Sequence, residues 1–444
     1  MRRALPLLFG LAVLSASPAD ARATPPKRDV PDYDGRGSER TTPGDAVLWV
    51  PRIALFPLYV VSEYVVRRPL GALIVGAERA RVPQALYSVF ILTEDKSVGW
   101  APTFLVDFGF KPSAGLFFFW NDALAPGNDV RVHAATWGVH WLAGSVTDRI
   151  HLSSSDTLSL RFAGIRRPDY EYYGEGARSL EHDLSRYAAD LLEARATFDV
   201  GLGGSSRLVA GAGVKSARFY EPHDEDDDEP STRTLAERGA FALPNAFEDG
   251  YDAGVSGLTL RLDSRAPRPA SQSGVRLDLS AEQGSDPERS RGWVRYGAIG
   301  GGFLDLNRRA RVLSLSLATL FSDPLSDAAV PFTELVQLGG SEPMRGFVPG
   351  RLFGRSAAVA TLGYHWPVWI WLDGTIQAAL GNVFDAHLND FELSLLRFSG
   401  AIGVKTAGFS DNPVELLLGF GTETFDDGAR VNSLRAVLGT SRGF

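Results

Sequence analysis

Val275-Arg276-Leu277-Asp278-Leu279-Ser280-Ala281-Glu282 alternates without a break between apolar and polar residues. A period of two places Val275, Leu277, Leu279 and Ala281 on one face of an extended strand. Arg276, Asp278, Ser280 and Glu282 fall on the other. The same pattern recurs on both sides. Leu192, Ala194, Ala196, Phe198 and Val200 alternate with Glu193, Arg195, Thr197 and Asp199. Leu258, Leu260 and Leu262 alternate with Thr259, Arg261 and Asp263, and Leu313, Leu315 and Leu317 alternate with Ser314 and Ser316. Near the end, Val414, Leu416, Leu418 and Phe420 alternate with Glu415 and Gly419. Such strands suit a soluble sandwich with charges outside, or a membrane barrel with charges lining a wet interior. Their even spread over residues 98–444 and their length favour the barrel, because a tilted strand needs about 9–11 residues to cross a bilayer. The fold class expected is all-β: a transmembrane antiparallel β-barrel of about sixteen strands, preceded by a short helical segment.

The amino-terminal residues agree with export. Arg2 and Arg3 precede an apolar run from Leu5 to Leu14, and the small-x-small triplets Ala19-Asp20-Ala21 and Ala21-Arg22-Ala23 follow. This reads as a signal peptide over residues 1–23, cleaved after Ala21 or Ala23. Residues 24–45 are polar and rich in Pro, Arg and Asp, and read as a disordered linker. Residues 46–97 contain an apolar stretch long enough to span a bilayer, but Pro51 and Pro57 interrupt it and Arg52 and Glu63 lie inside it. Short helices are expected instead, with Pro69 opening one towards Ala80 and another over residues 84–92. They would lie in the periplasm against the inner membrane face of the barrel, or plug its lumen.

Composition excludes several classes. The 444 residues hold no cysteine, which removes disulfides, thiolate metal sites and cysteine catalysis. The net charge of −8 and the lack of a dense basic patch argue against nucleic acid. No His-Glu-x-x-His and no Gly-x-x-x-x-Gly-Lys loop is present, and no enzyme and no cofactor are expected. The histidines are scattered, His133 and His140 included, and no metal site is expected. The acidic run Asp224-Glu225-Asp226-Asp227-Asp228-Glu229 lacks the spacing and glycine of a calcium loop. It lies in a long link over residues 218–252, after the seventh strand. That link is expected to be an outer, mobile loop, since inner turns are short.

One segment is more specific. Gly339-Gly340-Ser341-Glu342-Pro343-Met344-Arg345-Gly346-Phe347 falls between the eleventh and twelfth strands. It resembles the Val-Arg-Gly-Phe/Tyr loop of the BamA/TamA family of outer-membrane proteins (bacterial surface antigens), with Met344 where that family has Val or Leu. Tyr172-Tyr173-Gly174-Glu175-Gly176 is similar to the family's aromatic-Gly-x-Gly segment. Asp263-Ser264-Arg265, followed by Pro269 and Gly274, is similar to its turn between the eighth and ninth strands. Gly381-Asn382-Val383-Phe384 is similar to a family segment after the thirteenth strand, and Phe444 supplies the terminal aromatic typical of exported barrels. The chain departs from the family in two ways. Residues 46–97 do not read as periplasmic repeat domains, so a member lacking them is expected. Gly363 stands where a twelfth-strand glutamate is often found.

The resemblance implies assembly, insertion or translocation of protein, or of lipid, at the bacterial outer membrane. The partners implied are outer-membrane lipids and client outer-membrane proteins, and the mechanism works through the barrel seam without covalent chemistry. The seam should join residues near 103–108 to residues near 434–438. A passive pore or structural barrel is the alternative. The resemblance also places Met344, Arg345, Gly346 and Phe347 in the lumen. Strand parity then offers Arg345 two inward carboxylates, Asp373 first and Glu415 second.

Overall fold

The computed structural model describes residues 89–444, except 139–140, 223–228, 267–271, 307–309, 341–342, 370, 408–410 and 441–444, together with a few positions between 53 and 68. The signal peptide, the linker, the helix from Pro69, most of the acidic run, His140, Pro269 and Phe444 lie outside the described residues. Within the amino-terminal segment one helix is described, α1 (Phe56–Val61). Val89 and Phe90 are helical too, and the Phe90 ring meets Trp100 edge-on at 5.1 Å. No described helix is long and apolar enough to cross a membrane.

Sixteen antiparallel strands close into one barrel. They are β1 (Val98–Asp107), β2 (Ser113–Trp120), β3 (Asn128–Gly138), β4 (Trp141–His151), β5 (Thr157–Tyr172), β6 (Ser185–Gly203), β7 (Ser206–Tyr220) and β8 (Tyr251–Asp263), followed by β9 (Gly274–Asp286), β10 (Arg291–Asp305), β11 (Val312–Pro324), β12 (Ser356–Trp369), β13 (Leu372–Phe384), β14 (Arg397–Thr406), β15 (Val414–Thr422) and β16 (Val431–Thr440). Each strand pairs with its chain neighbour, and β16 returns to β1. Gly381-Asn382-Val383-Phe384 forms the last residues of β13 rather than a segment after it. The ladder needs it there, since Gly381 faces both Val359 of β12 and Arg397 of β14.

Alternation decides what faces out. Leu160, Phe162, Leu192, Leu258, Leu277, Leu315 and Leu317 are exposed on the outer surface. In a membrane barrel this is the face that meets lipid, and no packing partner inside the protein is required. The polar series lines the lumen in ion pairs. Arg195 meets Glu282 at 2.6 Å, and Arg261 meets Asp278 at 3.1 Å. The turns at the end holding the amino terminus of β1 are the shorter set, two residues between β6 and β7, while the opposite end carries the long links after β5, β7, β11 and β13.

The β7–β8 link leaves from this end, as an outer loop should, but part of its described chain packs inward. After residues 223–228 the β7–β8 link forms α2 (Thr232–Glu237), which Ser231 caps by accepting from the Thr234 N–H. Leu235, Ala246 and Phe247 of this link are buried. Phe247 joins an aromatic cluster with Tyr172, Tyr187, Phe219, Tyr251, Trp293, Phe332 and Phe353. Phe219 and Phe332 lie 4.7 Å apart between ring centroids. Part of the outer half of the lumen is thus an apolar core, crossed by buried ion pairs such as Arg397 with Glu423. Uncharged inward positions such as Tyr251, Ala253 and Val255, which end the charged series on β8, are its cause.

Candidate functional site: the arginine loop and the barrel seam

The β11–β12 link enters the lumen through a short hairpin in which Val336–Leu338 pairs with Leu352–Gly354. Its base is held by Glu334, which is buried and accepts from Lys215 Nζ at 2.8 Å and from the Tyr251 hydroxyl at 2.6 Å. Burial pushes this carboxyl up, but Lys215 and Arg295 more than offset that and hold it below its ordinary value.

At the tip, Gly340 N donates to Phe347 O at 2.8 Å, and Phe347 N donates to Met344 O at 3.2 Å. Met344 has a positive φ of 65° and is fully buried, with Phe347, against Leu338, Leu352, Val359 and Val383. That burial holds a backbone conformation costly for a side-chain-bearing residue. Gly346 is required for a different reason. A Cβ there would lie 2.0 Å from Phe420 O and 2.7 Å from Gly400 O. Its N–H donates to Ser399 Oγ at 2.9 Å. The wall is equally bare: a Cβ on Gly419 would meet Gly346 Cα at 2.8 Å, and one on Gly421 would meet the Phe347 ring at 2.3 Å. The tip therefore lies flat on the inner face of β14 and β15.

This placement selects the partner of Arg345. Its Nη2 donates to Glu415 Oε1 on β15, and both side chains are largely buried. Asp373, the first choice on parity, stands on β13 opposite Pro367 and Lys405 and is not the partner of Arg345. The glycines of β14 and β15 explain the difference, because only over them can the loop backbone approach the wall. Gly363 takes its place on β12 with Ser314 Oγ donating to its carbonyl at 3.3 Å.

Sequence reading did not find Arg435 and Asp107. Arg435 of β16 donates through Nε and Nη2 to both carboxylate oxygens of Asp107 on β1, at 3.2 and 2.8 Å. Its Nη1 donates to the carbonyls of Gly340 and Arg345, the latter at 3.1 Å. A short alternation around Arg435 would have marked it as inward, but nothing local joins it to Asp107.

These contacts sit at the seam. Among the described residues, β1 and β16 share three register pairs: Leu105 with Gly439, Val106 with Leu438 and Asp107 with Val437. Phe108 N adds a bond to Ala436 O at 2.9 Å. By contrast β1 and β2 stay paired from Val98 opposite Trp120 to Leu105 opposite Ser113. Among the described residues, no further ladder pair joins β1 to β16, and Thr440 Oγ1 donates to Phe104 O at 3.4 Å. At the short-turn end, Asp411 of the β14–β15 turn reaches past the seam to Arg131 of β3 at 2.9 Å and Arg149 of β4 at 2.7 Å. Burial pushes the Asp411 carboxyl up, and the two guanidiniums more than reverse this, leaving it below the usual carboxylate range.

His133, considered in sequence as a metal ligand, is hydrogen-bonded to Thr103 Oγ1 at 2.8 Å. Among the described residues no group of His, Asp and Glu is arranged to hold a metal ion.

A closed sixteen-stranded barrel with an apolar outer face and an inward arginine loop defines a membrane β-barrel of BamA-like fold. No protein-family profile and no curated protein sequence matches the chain. Among solved structures, it is similar to BamA from Haemophilus ducreyi lacking POTRA domains 1–3, with 12% identity, a TM-score of 0.53, and coverage of 77% of this chain and 70% of that one. CdiB from Escherichia coli aligns at 10% identity with a TM-score of 0.47, covering 77% of this chain and 62% of that one. The outer membrane protein OprD from Pseudomonas aeruginosa aligns at 9% identity with a TM-score of 0.35, covering 77% and 92%.

Proposed function

We propose that this barrel resides in a bacterial outer membrane and assists the insertion or translocation of protein there, by opening between β1 and β16. The observation that carries the reading is the short seam ladder, three pairs among the described residues. Unpaired backbone N–H and C=O groups on a strand edge are a template for another strand. Among the described residues, 431–434 of β16 offer such an edge beside one short ladder. A client strand can add to an edge of this kind by main-chain hydrogen bonding, which needs no catalytic group. The likeness to BamA supports the reading at the level of fold.

The test is a cross-link. The chain has no cysteine, so Val106→Cys with Leu438→Cys introduces one thiol pair directly across the seam. Proteoliposomes holding the oxidised form should fail to promote client folding, and reduction should restore it. Equal activity in both forms would reject the seam mechanism. No client activity in either form, together with steady ion conductance in planar bilayers, would establish the passive pore instead.

A further inference from the structure

We infer that Arg435 is a latch that couples the position of the arginine loop to closure of the seam. One guanidinium carries both halves of the arrangement. Its Nε and Nη2 bridge from β16 to Asp107 of β1, and its Nη1 holds the carbonyls of Gly340 and Arg345 in the loop. Both Arg435 and Asp107 are buried. A buried guanidinium has no water to replace a lost partner, so each half of the site depends on the other. Only a planar fork with donors on three nitrogens can serve a carboxylate and two carbonyls at once.

The geometry makes the coupling directional along the wall. The loop tip is pinned on β15 by Arg345 to Glu415 and on β14 by Gly346 to Ser399. Arg435 lies on the next strand, β16, at the edge that must leave β1 for the seam to open. If β16 moves away from β1, Arg435 either abandons Asp107 or drags the loop backbone with it. If the loop is lifted from β14 and β15, Nη1 loses both carbonyls and the guanidinium is left with Asp107 alone. Because the same guanidinium bridges the seam through Asp107, an occupant that displaces the loop tip also loosens the seam. The inference does not depend on what passes through the seam, and its test uses no client.

The test reads each end while the other is perturbed. A spin-label pair on Val106→Cys and Leu438→Cys reports seam closure through dipolar broadening. A single label on Pro343→Cys reports loop mobility. Arg435→Met should abolish the broadening and mobilise the loop label. Asp107→Asn, changed at the seam, should mobilise the loop label. Glu415→Gln, changed under the loop, should reduce the seam broadening. Heat-modifiable gel mobility identifies the folded fraction on which each spectrum is read, and if Arg435→Met does not fold, the other two variants still decide. Unchanged spectra in Arg435→Met would overturn the latch. An effect of Asp107→Asn or Glu415→Gln confined to its own end would overturn the coupling.

Discussion

Arg131 on β3 and Asp411 in the β14–β15 turn meet at 2.9 Å, so a turn from one side of the seam is fastened to a strand on the other. Arg149 of β4 joins the same carboxylate at 2.7 Å. All three side chains are less than a third exposed, which keeps screening by water modest.

This tie should be acid-sensitive. Asp411 is held below its ordinary value of 3.8 in the folded protein. A depressed carboxyl contributes stability that is present above the unfolded value and is lost as pH falls through the folded one. Heat-modifiable gel mobility should therefore hold from neutrality to about pH 4 and fall below it. Asp411→Asn should lower the melting midpoint at pH 7, by a loss of about 1–3 kcal/mol, and flatten the acid limb. An acid limb identical to that of the unaltered protein would reject the assignment.

Arg345 and Glu415 should behave as one unit. Removing either partner leaves a buried charge, at a cost of about 3–5 kcal/mol, reduced if water reaches the site. Arg345→Ala and Glu415→Gln should each lower the heat-resistant folded fraction, and the double variant should be less than additive. Asp373→Asn, combined with Arg345→Ala, should add its own effect independently. Coupling of Arg345 to Asp373 rather than to Glu415 in that double-mutant cycle would overturn the pairing.

Gly346→Ala should displace the loop although it adds a single methyl group. The new Cβ would stand 2.0 Å from Phe420 O, and backbone cannot yield as a flexible side chain can. Limited trypsin digestion should then cut at Arg345, which is sheltered in the unaltered protein. Protection equal to that of the unaltered protein would show that the wall accommodates the group.

Phe247→Ala should destabilise the barrel by about 3–5 kcal/mol, as expected for truncating a fully buried aromatic. A solvated loop would lose nothing. The thermal midpoint separates the two.

Much of this architecture was legible in the sequence because a strand of period two announces both its faces. Leu277 and Asp278 carry opposite chemistry one residue apart, and the lipid and lumen faces followed. The strand count and the place of the arginine loop between β11 and β12 followed as well. What stayed hidden depends on three dimensions. The composition of the 218–252 link suggested solvent, because its acidic run outweighed Phe247 and Leu235, which fold back onto the cluster. Parity put both Asp373 and Glu415 inward and Asp373 was ranked first, but the bare surface formed by Gly400, Gly419 and Gly421 seats the loop over Glu415. Nothing in the sequence links Arg435 to Asp107, 328 residues away.

That separation has a kinetic consequence. Bringing together groups so distant along a chain carries a large loop-closure entropy, which falls only after the intervening hairpins have zipped one onto the next. Ring closure is therefore among the last events of folding. Because the guanidinium that completes the ring also holds the Gly340 and Arg345 carbonyls, the loop cannot reach its final seat until β16 arrives. Refolding should show the docking of the loop and the joining of the strand ends as a single late phase, with hairpin formation well before it.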